Sequence, residues 1–457
     1  MKPENKELKQ DLRRDTSAGI FFAFRPMKRI FILAFAGLLN SQSLCGAATL
    51  PQDEVVNTVL RENPTIKAAR AKWEAMKKRV PQARAWEDPM AGVDVERGDT
   101  TRFDTFSDAE WMIAQQIPIS GKNLSRGRAA SAEAAANFEE LRRVELDAIS
   151  RAQVAYFRLA SAYGQLGITR ENQDLLAQFA EISRVKYEAG IQSQSDVLLA
   201  QTDLARLLQN VADLEREISD QCSALNVLMN RPAQSPLGQP TPLSFKPLRI
   251  SAERARALAL AQRPEIGRAQ HAIAAEESRL QLAKRQWIPD PQFRVEARQF
   301  NGRSGIQEYD TGVFVNVPWV NFGKYSAGVS EAQKGVDMAQ QQLVAARTEM
   351  LGLVQDQLKK IETAARNYEL FNGKIVPLAR QAIESTRAGY ESDKTSFLEL
   401  ITAQRMSQEA QSSALNQLAA HQVAIAELRA IIGSDPSTPD ATGRKRLEEE
   451  SKNVKSK

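Results

Sequence analysis

Two short stretches hold the residues best suited to chemistry. Residues 187–201 read YEAGIQSQSDVLLAQ, and residues 390–404 read YESDKTSFLELITAQ. Each sets a serine three residues ahead of an acid: Ser193 before Asp196, and Ser396 before Glu399. That spacing suits a helix start. The serine hydroxyl caps a free backbone N–H, and the acid bonds back to the cap. The acid also complements the positive end of the helix dipole. Ala189-Gly190 supplies the left-handed turn that ends the preceding helix. Ser392-Asp393 takes that place in the second stretch, where Asp adopts the left-handed conformation less readily than Gly. Each stretch reads as the tip of a helical hairpin, with Ser193 and Ser396 as helix caps.

Little else is equipped for catalysis. His271 and His421 are the only histidines, and they lie far apart in sequence. No His/Cys cluster has zinc spacing, so no metal site is expected. There is no nucleophile–base pair, no phosphate-cradling Gly loop and no pair of catalytic carboxylates. Neither an enzyme nor a cofactor is expected. The net charge is only +5 over 457 residues, and its bases are interleaved with acids. That balance argues against a nucleic-acid partner. His421 is expected to be packed on a helix seam, His271 to lie on a helix surface, and Cys222 to be a packed thiol.

Met27-Lys28-Arg29 precedes an apolar run at residues 30–39 and then NSQSLCGAA. This pattern predicts a secretory signal peptide cut after Ala47 or Ala48, with Met27 as a candidate start. A lipid anchor on Cys45 would need a small residue before it, and Leu44 stands there. With Cys45 removed, Cys222 is the only thiol and no intrachain disulfide can form. No later stretch approaches the roughly 18 apolar residues of a membrane helix. An exported chain of this kind is periplasmic, secreted, or a β-barrel in an outer membrane.

The hairpin phrases are part of a larger duplication. NPTIKAARAKWEA at Asn63 resembles RPEIGRAQHAIAA at Arg263, and ARAWEDPMAGVDV at Ala83 resembles KRQWIPDPQFRVE at Lys284. IPISGK at Ile117 resembles VPWVNFGK at Val317. The expected organisation is an upstream segment plus signal at 1–48 and a first unit at 49–230. A Pro-rich linker follows at 231–250, then a second unit at 251–433 and a polar tail at 434–457.

Each unit reads helix–strand–strand–helix, a mainly α, α+β arrangement. A helix starts at Pro64 or Pro264 and stops at Asp88-Pro89 or Asp290-Pro291. The strands then alternate. Ala91, Val93 and Val95 oppose Gly92, Asp94 and Glu96, while Trp111, Ile113 and Ile117 oppose Glu110 and Gln116. Phe293, Val295 and Ala297 oppose Arg294, Glu296 and Arg298, while Val313, Val315 and Val317 oppose Gly312 and Asn316. Period-two strands of this kind suit a barrel wall between lipid and a wet lumen, and equally a periplasmic sheet with one wet face. Gly121-Lys122 and Gly323-Lys324 then open helices that run unbroken to Tyr187 and Tyr390. Ile149, Ala152, Tyr156, Leu159, Tyr163 and Leu166 keep a coiled-coil stride, as do Val354, Leu358, Ile361, Ala365 and Tyr368. Four strands cannot close a barrel, so lipid-facing strands would demand partner copies, and three copies would leave room for a conduit.

The duplication, the element order, the Pro-Gly-Lys strand exits and the YEAG…S…D hairpins carry a family likeness. Over residues 50–433 the chain resembles the TolC family of outer-membrane efflux proteins. DPM at Asp88 and QQIPISGK at Gln115 are most similar to the outer-membrane components of heavy-metal tripartite pumps. The resemblance implies a homotrimer with a 12-stranded outer-membrane barrel, continued by a periplasmic α-helical barrel. It implies a passive exit duct, conducting metal cations exported by an inner-membrane, proton-driven transporter through a periplasmic adaptor. Aligned through Tyr390, Glu399 falls on the family's inner acidic ring, and Thr402 falls on the second ring position. Asp196 and Tyr390 match members of the closing polar network, whose arginine position is Thr395 here. Ala189, Gly190 and Ile191, with Ser392, Asp393 and Lys394, correspond to the adaptor-contact tips. Two other readings stand beside this one: a drug or type I protein secretion duct of the same fold, and a periplasmic coiled-coil adaptor.

Overall fold

The computed structural model describes residues 49–96, 108–300 and 304–433. The signal peptide, Met27, Cys45 and the polar tail lie outside these residues. In the first unit α1 (Gln52–Glu62) and α2 (Pro64–Arg84) lead to β1 (Met90–Glu96) and β2 (Asp108–Gln116). The long hairpin α3 (Lys122–Glu188) and α4 (Gln194–Leu228) follows. The second unit repeats the order with α5 (Ala252–Gln262), α6 (Pro264–Arg285), β3 (Gln292–Phe300) and β4 (Glu308–Phe314). It closes with α7 (Phe322–Leu370), α8 (Val376–Glu391) and α9 (Phe397–Ile432).

Local chemistry explains the joints. Asn63 caps α2, accepting from the Thr65 N–H at 2.9 Å, and Pro64 sits where a missing N–H costs nothing. α3 has 67 residues, a length of roughly 100 Å at the α-helical rise. The second long helix runs on past Tyr390 as expected, but it is not uniform. A single π turn, Phe371–Ile375, separates α7 from α8. Pro377 has no N–H to give the Gly373 carbonyl four residues back, and its ring crowds that carbonyl, so the helix widens there.

The strands form one antiparallel sheet in the order β1-β2-β3-β4, so the two units meet where β2 pairs with β3. Register lines up the faces. Val93 pairs with Trp111, Trp111 with Ala297, and Ala297 with Tyr309. On this face Val93, Ile113, Val295, Tyr309 and Val313 are each at least half exposed. The other face carries charge pairs, Glu110 with Arg298 at 3.0 Å and Arg294 with Glu296 at 2.9 Å. Val315, Val317 and Ile117, expected in strands, lie past the strand ends. β4 stops at Phe314, whose partner Gln292 is the first residue of β3, so nothing remains to pair with. Val317 instead leads into a 3-10 turn, Pro318–Asn321.

A buried clamp ties the sheet to the helices. Asp290 accepts from the Ser120 N–H at 2.8 Å, the Ser120 hydroxyl at 2.9 Å and the Lys122 ammonium at 3.0 Å. Burial pushes its carboxyl up, but the Ser120 and Lys122 donors outweigh it and hold it below the ordinary 3.8. Gly121 takes a left-handed φ of 71°, and Arg285 fills the space a side chain there would need.

The expected seams point inward. Ala152, Tyr156, Leu159 and Leu225 are buried in one core, and Val354, Ile361 and Leu428 in another. The linker is held down by Tyr156, whose hydroxyl donates to the Leu50 carbonyl at 2.8 Å and accepts from the Thr241 N–H at 3.0 Å. Cys222 is half-buried, and burial pushes its thiol up.

His421 is fully buried beside Phe245, with ring centroids 5.0 Å apart. Neither ring nitrogen has a hydrogen-bond partner among the described residues. Burial therefore holds the imidazole below its ordinary 6.5. The unfolded chain takes up a proton near pH 6.5 that the folded chain refuses. Stability is whole above that pH and falls as pH drops below it, until the folded pKa is passed. His421→Ile copies Ile218, its counterpart in the first unit. It should flatten this dependence, read as melting temperatures at about pH 5 and about pH 7.5. Equal slopes in both proteins would contradict the account.

Candidate functional site at the helical tips

Both tips turn through left-handed residues. Gly190 has φ 73°, and Asp393 holds φ 56° without being glycine. The strain at Asp393 is supported by contacts. Its carboxylate accepts from the Lys186 ammonium at 2.6 Å, and the Lys394 N–H returns to the Gly389 carbonyl at 2.8 Å. The serines differ. Ser396 caps α9, accepting from the Glu399 N–H at 3.3 Å. Ser193 occupies the cap position of α4, but its hydroxyl meets Ser195 Oγ at 2.7 Å and caps no amide, which corrects that expectation. A second hydroxyl two residues on competes for the same group. Neither acid bonds back to its cap among the described residues.

The two repeated tyrosines have separated. Tyr187 is 43% exposed, whereas Tyr390 is 2% exposed, its ring tilted against Phe397 with centroids 5.6 Å apart. The Tyr390 hydroxyl donates to Gln192 Oε1 at 2.6 Å. Burial raises the phenol above its ordinary 10.0, with the Gln192 bond opposing it. Lys186 lies 4.3 Å above the Tyr390 ring and donates to its carbonyl at 2.8 Å. One ammonium thus joins the α3/α4 tip to the α8/α9 tip. Thr395 carries no cation, and the ammonium at this junction is that of Lys186, from the other hairpin.

Sequence reasoning missed Lys186 and Gln192. Lys186 has no trace in the duplication, because Gly389 stands at its place in the second copy. It also missed the layer above the tips. The Arg405 guanidinium grips buried Asp203 with Nε at 2.9 Å and Nη2 at 2.6 Å. Gln404 donates to Asn172 at 2.9 Å, inside a core of Leu176, Phe179, Phe397, Leu400 and Ile401.

The expected gate residues are placed as follows. Glu399 and Thr402 are exposed on one face of α9, and Asp196 is half-buried at the start of α4. The Thr402 hydroxyl is spent on the Leu398 carbonyl at 2.7 Å. Tyr390 is not directly bonded to Asp196, since Gln192 takes its hydroxyl. Ala189, Gly190 and Ile191 form an exposed apolar tip, with Ile191 63% exposed. Ser392, Asp393 and Lys394 form an exposed charged one. Among the described residues no group of three or more His, Cys, Asp or Glu side chains could hold a metal ion. No helix there is long and apolar enough to cross a membrane.

A duplicated unit of two strands and a long helical hairpin, with its polar links at the hairpin tips, defines a class of channel fold. Three solved structures share it. The outer membrane protein VceC from Vibrio cholerae is 16% identical with a TM-score of 0.72, over 84% of this chain and 97% of that one. The Campylobacter jejuni CmeC outer membrane channel is 17% identical with a TM-score of 0.73, over 88% and 89%. The Neisseria gonorrhoeae MtrE outer membrane channel, in its open state, is 17% identical with a TM-score of 0.72, over 86% and 91%. The outer membrane efflux protein family matches residues 55–231 and again 255–434. The chain belongs to that family.

Proposed function

We propose that three copies of this chain form an outer-membrane exit duct serving a tripartite efflux system. Twelve strands would close the barrel, and the long helices would continue it into the periplasm. The sheet carries this reading: one face is apolar and exposed, the other is charged, and β1 and β4 have open outer edges among the described residues. Open edges are not tolerated in lipid, and four strands are too few to close. The duct is passive, and a proton-driven inner-membrane transporter supplies the energy through a periplasmic adaptor. The adaptor would meet the apolar tip at Ala189, Gly190 and Ile191 and the charged tip at Ser392, Asp393 and Lys394. Three Asp196 and three Glu399 around one axis favour cations, which agrees with metal ions as substrate.

Purified protein in a planar bilayer should conduct, and silence at every voltage and pH would defeat the duct reading. A deletion strain should lose tolerance to metal cations, whereas sensitivity to drugs alone would reassign the substrate. Glu399→Ala should reduce cation selectivity, because three carboxylates leave the constriction at once. Unchanged selectivity and conductance would leave Glu399 only its place in the first turn of α9.

A further inference from the structure

The clamp made by Asp290 occurs twice in sequence and once within the chain. Arg84, Trp86 and Asp88 stand in the first unit where Arg285, Trp287 and Asp290 stand in the second. Gly323-Lys324 open α7 as Gly121-Lys122 open α3. In the formed clamp, Asp290 of the second unit receives the helix start of the first, and Arg285 donates to the Ser120 carbonyl at 2.8 Å. The other set is unfilled. Asp88 and Lys324 are exposed, and neither has an ion-pair partner among the described residues. Trp86 is 59% exposed. A side chain on Gly323 would meet nothing within 4 Å, whereas one on Gly121 would strike Arg285.

The cause is direction. β2 pairs with β3 and α3 packs along α6, both running from the first unit to the second. Arg268 reaches Glu140 across that helix pair at 3.4 Å, and Arg279 reaches Glu133. Among the described residues the reciprocal contacts, from the second unit back to the first, are missing: β4 does not pair with β1, and α7 does not pack along α2. A contact that points one way between like units repeats head to tail, and it closes into a ring when the rotation permits.

We infer that the second clamp forms between copies: Asp88 of one protomer receives the α7 start of the next, with Lys324 as its cation. The inference rests on the trimeric duct reading above and names the residues that would join its protomers at the barrel–helix junction. The charges are complementary. The dipole of α7 also favours a carboxylate at its start. The second clamp is the weaker of the two. Phe322 replaces Ser120, so the hydroxyl donor is gone. Two more residues separate Pro318 from Gly323 than separate Pro118 from Gly121, which gives this exit a different path.

The test uses the full chain, purified from membranes in detergent, with Cys45→Ser and Cys222→Ser together as background. Asp88→Cys with Lys324→Cys, treated with a short bis-maleimide, should give a ladder of covalent dimers and trimers on denaturing gels. Each single cysteine variant should give none. No ladder from a protein that light scattering shows to be trimeric would overturn the clamp and leave the duct reading standing. A monomeric wild-type protein would overturn both. A charge exchange gives the second measurement. Asp88→Lys should speed dissociation of the assembly in detergent by about tenfold, and adding Lys324→Asp should restore it. Equal dissociation rates in all three proteins would also overturn the clamp.

Discussion

Asp290→Ala should weaken the junction between sheet and helices by about 3 kcal/mol, the range for removing one partner of a buried ion pair. Asp290 is 6% exposed, and its side chain accepts three hydrogen bonds. The substitution leaves the Ser120 N–H and hydroxyl without an acceptor. It also leaves Lys122, whose side chain is 16% exposed, without its counter-charge. Water entering the gap would recover part of this loss, because the junction lies near the surface. Hydrogen exchange at the Ser120 and Lys122 amides should speed by about a hundredfold, the kinetic equivalent of that loss. Asp290→Asn keeps an oxygen for the Ser120 N–H but turns an amide toward the Lys122 ammonium, so it should fall between. The sign with pH follows from the depressed carboxyl. The clamp is intact above the ordinary 3.8 and is lost only as pH falls through its lower folded value. Unchanged exchange in Asp290→Ala would show that the turn at Gly121 and the Arg285 bond to the Ser120 carbonyl hold the junction without the carboxylate.

How far the sequence foretold this molecule depends on the distance over which each feature acts. Proline at helix starts, alternation in strands and the seam stride are local signals, and Pro64, Val93 and Leu159 fall where they imply. Pro377 is equally local, yet its effect is a π turn rather than a break, because packing of α7 and α8 on α9 keeps the helix together. The tips were harder. Tyr187 and Tyr390 share a repeat position, and burial divides them because Tyr390 joins a core with Phe179, Phe397 and Leu400 while Lys186 and Gln192 reach across from the other hairpin. Asp203 and Arg405 illustrate the limit. They sit on helices far apart in sequence and out of repeat register, so neither duplication nor periodicity marks them as partners. Their pairing follows from how α3, α4 and α9 pack, which no single segment encodes.

Arg405→Ala should therefore be the substitution that most loosens the tips. The Asp203 side chain is 7% exposed and receives both arms of the Arg405 guanidinium. Without Arg405, the cation left near it among the described residues is Arg206, at 3.4 Å. The Arg405 side chain is 46% exposed, so solvent screens the pair and the loss lies between surface and fully buried bridges, at about 2 kcal/mol. A change of that size multiplies local opening by roughly thirty. Exchange of amides at the start of α9 and along the first turns of α4 should rise by that factor, with the sheet unchanged. Arg405→Lys keeps the charge but loses the fork, and should recover only part of the protection. Asp203→Ala with Arg405→Ala should be milder than Arg405→Ala alone, because no buried carboxylate is left unpaired. If these tips close the duct, the same order should appear in bilayers, with Arg405→Ala spending the most time in its conducting state. Faster exchange with wild-type conductance would separate the bridge from the gate, since α4 and α9 could then part without widening the passage.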